Sequence, residues 1–392
     1  MNFVLYGKRY TVHGERYMLY KGGALNPRER FYKICAHQEA DRVPLDLGGW
    51  LSGIKPDVYE RLKDALKLKG GPIAWYKDFD SRVLERFQID FRRVTPRSKN
   101  PSKSRPALAD GTSFDVWGVG SKFSGEDQQN VFFPLKDAAL EDLDKYLWPD
   151  FHAMGLRDEV VEEAKRLHND TPYVVVGQAA SAGVFERACW LCGFERILMG
   201  MAIEPEFTVK LFGIIHKLQK DSSEVFYGAV GKYLDMVQLG DDYGTQNGTF
   251  FSLDFYKEFI KPVNKSYIAD IRQYTKAKIF LHSCGSIHSF LGDLIEDGVD
   301  IINPVQTRAL NMEPERLKKD FGDKVVFHGA IDEQDILPFG SVSDVKKEVK
   351  HKIETLGKKG GYILAACHEI QNDTPVENII AMYESALEYG RY

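Results

Sequence analysis

Met236–Gly240, MVQLG, the amphipathic run Leu253–Tyr274, and Lys278–His282, KIFLH, form the stretch on which the fold turns. Both pentads are short and largely apolar, as in parallel strands covered on both faces. Apolar residues between them recur at helical spacing, so the stretch reads strand, helix, parallel strand. The rhythm continues on both sides. Strands are expected at Val43–Leu47, Asp90–Val94, Tyr173–Gly177, Ile301–Pro304, Val325–Gly329 and Tyr362–Ala366. Helices are expected at Glu204–Tyr227, Ile287–Asp297, Ser343–Leu356 and Val376–Tyr389. Eight strands alternating with helices predict an α/β fold, a (β/α)8 TIM barrel rather than a doubly wound sheet.

Outward from that core the pattern is looser. Residues 1–24 are polar and aromatic without clear period and read as an N-terminal extension, leaving 25–392 as the barrel domain. Asn26-Pro27 is an N-cap followed by proline at the first helical position, opening a helix through about Gln38. Residues 50–150 form a less regular insertion after the first strand. Within it, Asp57–Lys67 has helical spacing and the Gly-rich, alternating Gly111–Phe123 reads as a hairpin outside the main sheet.

Composition narrows the function classes. The 392 residues are 43% hydrophobic and 28% charged, with a formal charge of −5. No basic field exists for nucleic acid, and no apolar run approaches the roughly 20 residues of a membrane span. The charged N-terminus lacks the apolar core of a secretory signal. Five cysteines form an odd, sparse set, so a cytoplasmic enzyme with thiols free or on a metal is expected. Self-association is left open.

In a barrel of this type, function gathers at the C-terminal strand ends. Those ends carry Asp46, Gln178, Asp241 and Asp242, His282 and Cys284, Asn303 and Gln306, His328, and Cys367 with His368. His282 and Cys284 are two apart, so an extended backbone points both to one side. With Cys367 they make one imidazole and two thiolates, a set suited to zinc with its fourth position open for chemistry. His368 is the alternative to one of these ligands. Adjacent Asp241 and Asp242 point to opposite faces, so one of them is expected to serve as acid/base, substrate contact or support for a ligand. His328 and Gln306 are further pocket-lining candidates, and Trp50, Tyr243 and Phe250 are candidate aromatic walls.

Other signals read as structural. Cys189 and Cys192 fall inside the helical stretch Phe185–Leu198, without the strand that precedes a redox pair. Asp150–Gly155 matches Asp-x-His-x-x-Gly, a cobalamin-ligating pattern, but follows a Trp-Pro turn and lacks its downstream companions. Cys35 lies on the apolar side of the first helix.

Asn26–Phe31 (NPRERF), Asp41–Pro44 (DRVP), Gly240–Gln246 (GDDYGTQ), His282–Gly285 (HSCG), His328–Asp332 (HGAID) and Thr374–Ile379 (TPVENI) together resemble the uroporphyrinogen decarboxylase superfamily. They are most similar to its corrinoid-dependent methyltransferase branch. The resemblance implies a (β/α)8 barrel and zinc on His282, Cys284 and Cys367. It also implies cobalamin carried by a separate corrinoid protein, and a small-molecule methyl donor or acceptor. Asp242, Asp241 and His328 are then the expected catalytic residues, and Asp46, Gln178, Tyr243 and Gln306 the expected substrate contacts. The decarboxylases carry Arg-Gln-Ala-Gly-Arg where this chain has Leu45–Trp50 without arginine. The coenzyme-M-methylating enzymes carry an acidic residue where this chain has Gln306. The resemblance therefore implies, first, methyl transfer from a small O-methylated compound, such as a methoxyaromatic, to cob(I)alamin. Methylcobamide-to-thiol transfer and metal-free decarboxylation are the alternatives.

Overall fold

The computed structural model describes residues 8–12, 15–19, 24–71, 79–100, 106–124, 127–178 and 181–392. The chain divides into two compact units, each assembled from separate segments. One comprises Met1–Arg92, Asp170–Val174 and Pro314–Tyr392; the other comprises Arg93–Asn169 and Val175–Glu313.

In the first unit, strands Val326–Ile331 and Tyr362–Ala366 run parallel, with Phe327 opposite Tyr362 and Ile331 opposite Ala366. The expected strand at Val43–Leu47 is present as an isolated parallel bridge from Leu45 to Leu364 rather than as a continuous strand. Pro44 has no N–H to extend the ladder. Its carbonyl instead accepts from Leu364, the Asp46 amide donates to Leu364, and the Leu45 carbonyl accepts from Asp90. The first helix, Pro27–Cys35, opens with Asn26 and Glu29 as a reciprocal capping box. Arg30 and Arg42 both bind the buried Asp90 carboxylate, which also accepts the Leu45 amide at 2.8 Å. Two of the family-like segments, Asn26–Phe31 and Asp41–Pro44, thus hold the first strand in place. Of residues 1–24, Lys8–Val12 and Glu15–Leu19 pair as an antiparallel hairpin.

The second unit contains four neighbouring parallel strand segments. Ile301–Asn303 pairs with Lys278–His282, which pairs with Met236–Gly240, which pairs with the strand ending at Gly177. On the far side of that strand the Gln178 amide donates to the Val94 carbonyl. Gly111–Phe123 forms the expected hairpin, Ser113–Phe114 with Gly120–Ser124, and Asp127–Phe132 adds a third antiparallel strand.

Helices depart from expectation where the backbone hydrogen bonding changes. Leu253–Tyr274 is interrupted by a wider π turn at Tyr256–Ile260, just before Pro262, which has no N–H to continue the ladder. Phe185–Leu198 breaks at Gly193 (φ +92°) into Val184–Cys192 and Phe194–Ile203. Asp158–Asp170 is a further helix, outside those expected from the sequence. The class is the expected one, α/β with parallel strands alternating with helices.

Candidate metal and substrate site

In the second unit, His282 closes its strand and stands opposite Gly240 on one side and Asn303 on the other. Beyond it the chain is pinned residue by residue. The Ser283 amide donates to the Asn303 carbonyl at 2.7 Å, and the Ser283 hydroxyl accepts from the Tyr243 amide at 3.0 Å. The Cys284 amide donates to Asp242 Oδ1, and the Gly285 amide to Gln306 Oε1, both at 2.8 Å. Gly285 has φ +82°, and a Cβ there would fall 2.5 Å from the Gly244 carbonyl carbon. Only glycine permits that approach.

This loop aims two ligand atoms at one point. Asn303 Oδ1 can only accept, so His282 Nδ1 carries the proton across their 2.5 Å contact. The lone pair is left on Nε2, which lies 3.2 Å from Cys284 Sγ and 3.6 Å from Asp242 Oδ1. An imidazole nitrogen oriented through its other N–H, beside a thiol, is a donor set that fits a borderline ion such as zinc.

Asp241 and Asp242 diverge as adjacent strand residues do. Asp241 is buried and accepts from the backbone amides of Glu186 (2.7 Å) and Phe185 (3.1 Å) and from the Tyr243 hydroxyl (2.9 Å). It therefore ties down the first turn of the helix Val184–Cys192. Burial pushes its carboxyl up to about 7 despite these donors, and the charge of Asp242 adds to the rise. Tyr243 is fully buried, and its hydroxyl also accepts from Asn264 at 2.7 Å. Asp242, 36% exposed at its side chain, faces the ligand loop. Glu186 joins them: burial and the charges of Asp242 and Asp241 push its carboxyl well above the ordinary range. No sequence pattern marks Glu186, because helix packing alone brings it to the two aspartates.

Gln178 is buried, and its side-chain oxygen accepts from the Thr95 hydroxyl. Phe250 is half-buried and Trp50 is exposed. Cys189 and Cys192 are buried on their helix. Burial raises both thiols, Cys192 to about 12. Asp150 caps the short helix Phe151–Met154, leaving His152 exposed.

The first unit carries the other expected residues. His328 Nε2 lies 2.9 Å from Asp46 Oδ2, and both side chains are buried. The Tyr383 hydroxyl donates to the Asp46 carbonyl at 3.1 Å. Cys367 is buried at the end of the last strand, its amide donating to the Ile331 carbonyl at 2.9 Å. His368, half-buried, gives its backbone amide to Glu333. Burial raises the Glu333 carboxyl to about 8. The structure thus gathers His282, Cys284, Asp242 and Gln306 in one group, Asp241 with Tyr243 in a second, and Asp46 with His328 in a third.

Residues 116–389 match the family model described as Uroporphyrinogen decarboxylase (URO-D). Among solved structures, a methyltransferase from Methanosarcina mazei superposes with a TM-score of 0.64 at 18% identity, covering 93% of this chain and 99% of that one. A β-glycosidase from Thermosphaera aggregans gives a TM-score of 0.40 at 11% identity, covering 79% and 84%. Among curated proteins no sequence matches. No described helix is long and apolar enough to cross a membrane.

Proposed function

This chain belongs to the uroporphyrinogen decarboxylase family, and we propose that it is a zinc-dependent methyltransferase. It moves a methyl group from a small O-methylated donor, such as a methoxyaromatic, to the cob(I)alamin of a separate corrinoid protein. The observation that carries this reading is the convergence of His282 Nε2 and Cys284 Sγ, with Asn303 fixing the imidazole. The fold shared with a methyltransferase from Methanosarcina mazei supports the reading.

In this reading His282 and Cys284 hold the metal with a third ligand from the pair Cys367–His368, Cys367 being our choice. Zinc, when bound, supplies Lewis acidity for the oxyanion released as the methyl group departs. The chain's own residues do the rest. Asn303 holds the His282 proton on Nδ1, and Asp242 and Gln306 fix the backbone on either side of the Cys284 thiol. Asp242, the more exposed of the two aspartates, is the proton-exchanging group, while Asp241 with Tyr243 keeps the neighbouring helix in place. Gln178 contacts substrate. His328 is a further proposed catalytic group, paired within its own unit with Asp46, a proposed substrate contact. The catalytic domain is residues 25–392, and the setting is a reducing cytoplasm, in which the five cysteines stay reduced.

The test is spectroscopic. Zinc-loaded protein is mixed with cob(I)alamin and a panel of methoxyaromatics, and formation of methylcobalamin is followed. Transfer by the wild type, lost in Cys284→Ser along with bound zinc, is expected. Equal transfer by the metal-depleted protein would overturn the mechanism.

A further inference from the structure

Three buried glutamines of the second unit, Gln178, Gln219 and Gln238, each have an atom without a partner among the described residues, and two of them lie on neighbouring strands. Gln178 is 2% exposed and its Nε2 has no hydrogen-bond partner among the described residues; Gln238 is 4% exposed and its Oε1 has none. A buried polar atom left unsatisfied is costly, so each calls for an explanation.

Sheet register puts both on one face. Val176 pairs with Met236, so two residues further on Gln178 and Gln238 point the same way. Gln238 in turn pairs with Phe280, which lies two residues before His282. Gln238 therefore shares the face of His282, one layer lower along the strand. The Gln178 amide is also oriented, since the Thr95 hydroxyl donates to its oxygen and turns the NH2 group away from Thr95.

We infer that Gln178 and Gln238 form a hydroxyl-recognition subsite beneath the metal ligands, and that the small-molecule substrate carries a neutral hydroxyl remote from its reacting atom. This substrate class rests on the methyltransferase reading above. A hydroxyl both accepts from Gln178 Nε2 and donates to Gln238 Oε1. A carboxylate has no proton to give Gln238 and is repelled by its oxygen. An ammonium has no lone pair for Gln178. An unsubstituted ring leaves both amides unpaired, the situation in which sites built for a hydroxyl discriminate most strongly.

The experiment measures binding and transfer separately. Affinities of zinc-loaded wild-type protein for 4-methoxyphenol, anisole and 4-methoxybenzoate are compared by calorimetry. At least about a tenfold preference for the phenol is expected. Gln238→Met should reduce the phenol-to-anisole ratio to within about twofold while anisole affinity is kept, and Gln178→Met should reduce the same ratio. Equal affinities, preference for the benzoate, or no measurable binding of the phenol by the wild type would overturn the subsite, leaving the amides as hosts of water. Methyl transfer to cob(I)alamin is scored on the same samples. Phenol preference without transfer would remove the methyltransferase reading and leave the subsite standing; transfer without preference would do the reverse.

Discussion

Asn303 Oδ1 and His282 Nδ1, at the ends of adjacent parallel strands, lie 2.5 Å apart and share the proton that leaves the other imidazole nitrogen facing Cys284. Support of this kind fixes both ring orientation and tautomer. It also sets His282 at the end of a strand paired on both sides, with Cys284 just beyond it in a hydrogen-bonded loop.

Asn303→Ala should weaken zinc binding by roughly 10- to 100-fold, the usual effect of losing such a partner. Competition with a chromophoric chelator measures it. Asn303→Asp, which keeps an acceptor, should retain most of the affinity. Equal affinity in Asn303→Ala and wild type would show that the contact does not orient a ligand.

The third ligand is decided by metal content. Zinc per chain should fall sharply in Cys367→Ser and stay near wild type in His368→Ala. The reverse pattern would assign the position to His368, leaving Cys367 as a buried thiol.

Asp241 accepts two backbone amides and a tyrosine hydroxyl, so Asp241→Ala leaves three donors unpaired. A loss of about 2–4 kcal/mol in urea unfolding is expected. Wild-type activity together with wild-type stability would contradict this role.

The same carboxyl predicts a pH dependence. Its folded-state value is raised from 3.8 to about 7, so between those limits the folded protein keeps a proton that the unfolded chain has released. The stabilising contribution is complete below the unfolded value and is lost as pH rises through the folded one. Wild-type stability relative to Asp241→Asn should therefore decline from about pH 4 to 7 and then level off. A flat difference would mean that the amide donors hold Asp241 ionised throughout.

Burial raises the thiols of Cys189 and Cys192, the latter to about 12. Iodoacetamide at pH 8 should leave both unmodified in the folded protein, because the thiolate is the reacting form. Half-exposed Cys284 should be alkylated in metal-free protein and protected by zinc. Rapid modification of Cys192 would contradict its placement.

What depends on local order alone was readable along the chain. Parallel strands covered on both faces leave a near-continuous apolar signature, so Met236–Gly240, Lys278–His282 and Tyr362–Ala366 were legible to the residue. Strand alternation likewise brings His282 and Cys284 to one side and sends Asp241 and Asp242 to opposite ones. Local spacing could not say what each side chain meets. Asp241 became the anchor of a helix about 55 residues earlier in the chain. Glu186 reached the aspartates only through that helix, and the His328–Asp46 pair spans 282 positions. That Gln178 and Gln238 share a face likewise depends on register between strands about 60 residues apart. Periodicity reports which face a residue occupies, because burial repeats with the backbone. Which groups share that face across distant segments is fixed only when the chain packs, so hydrogen bonding, desolvation and acidity at this site were decided by the tertiary structure.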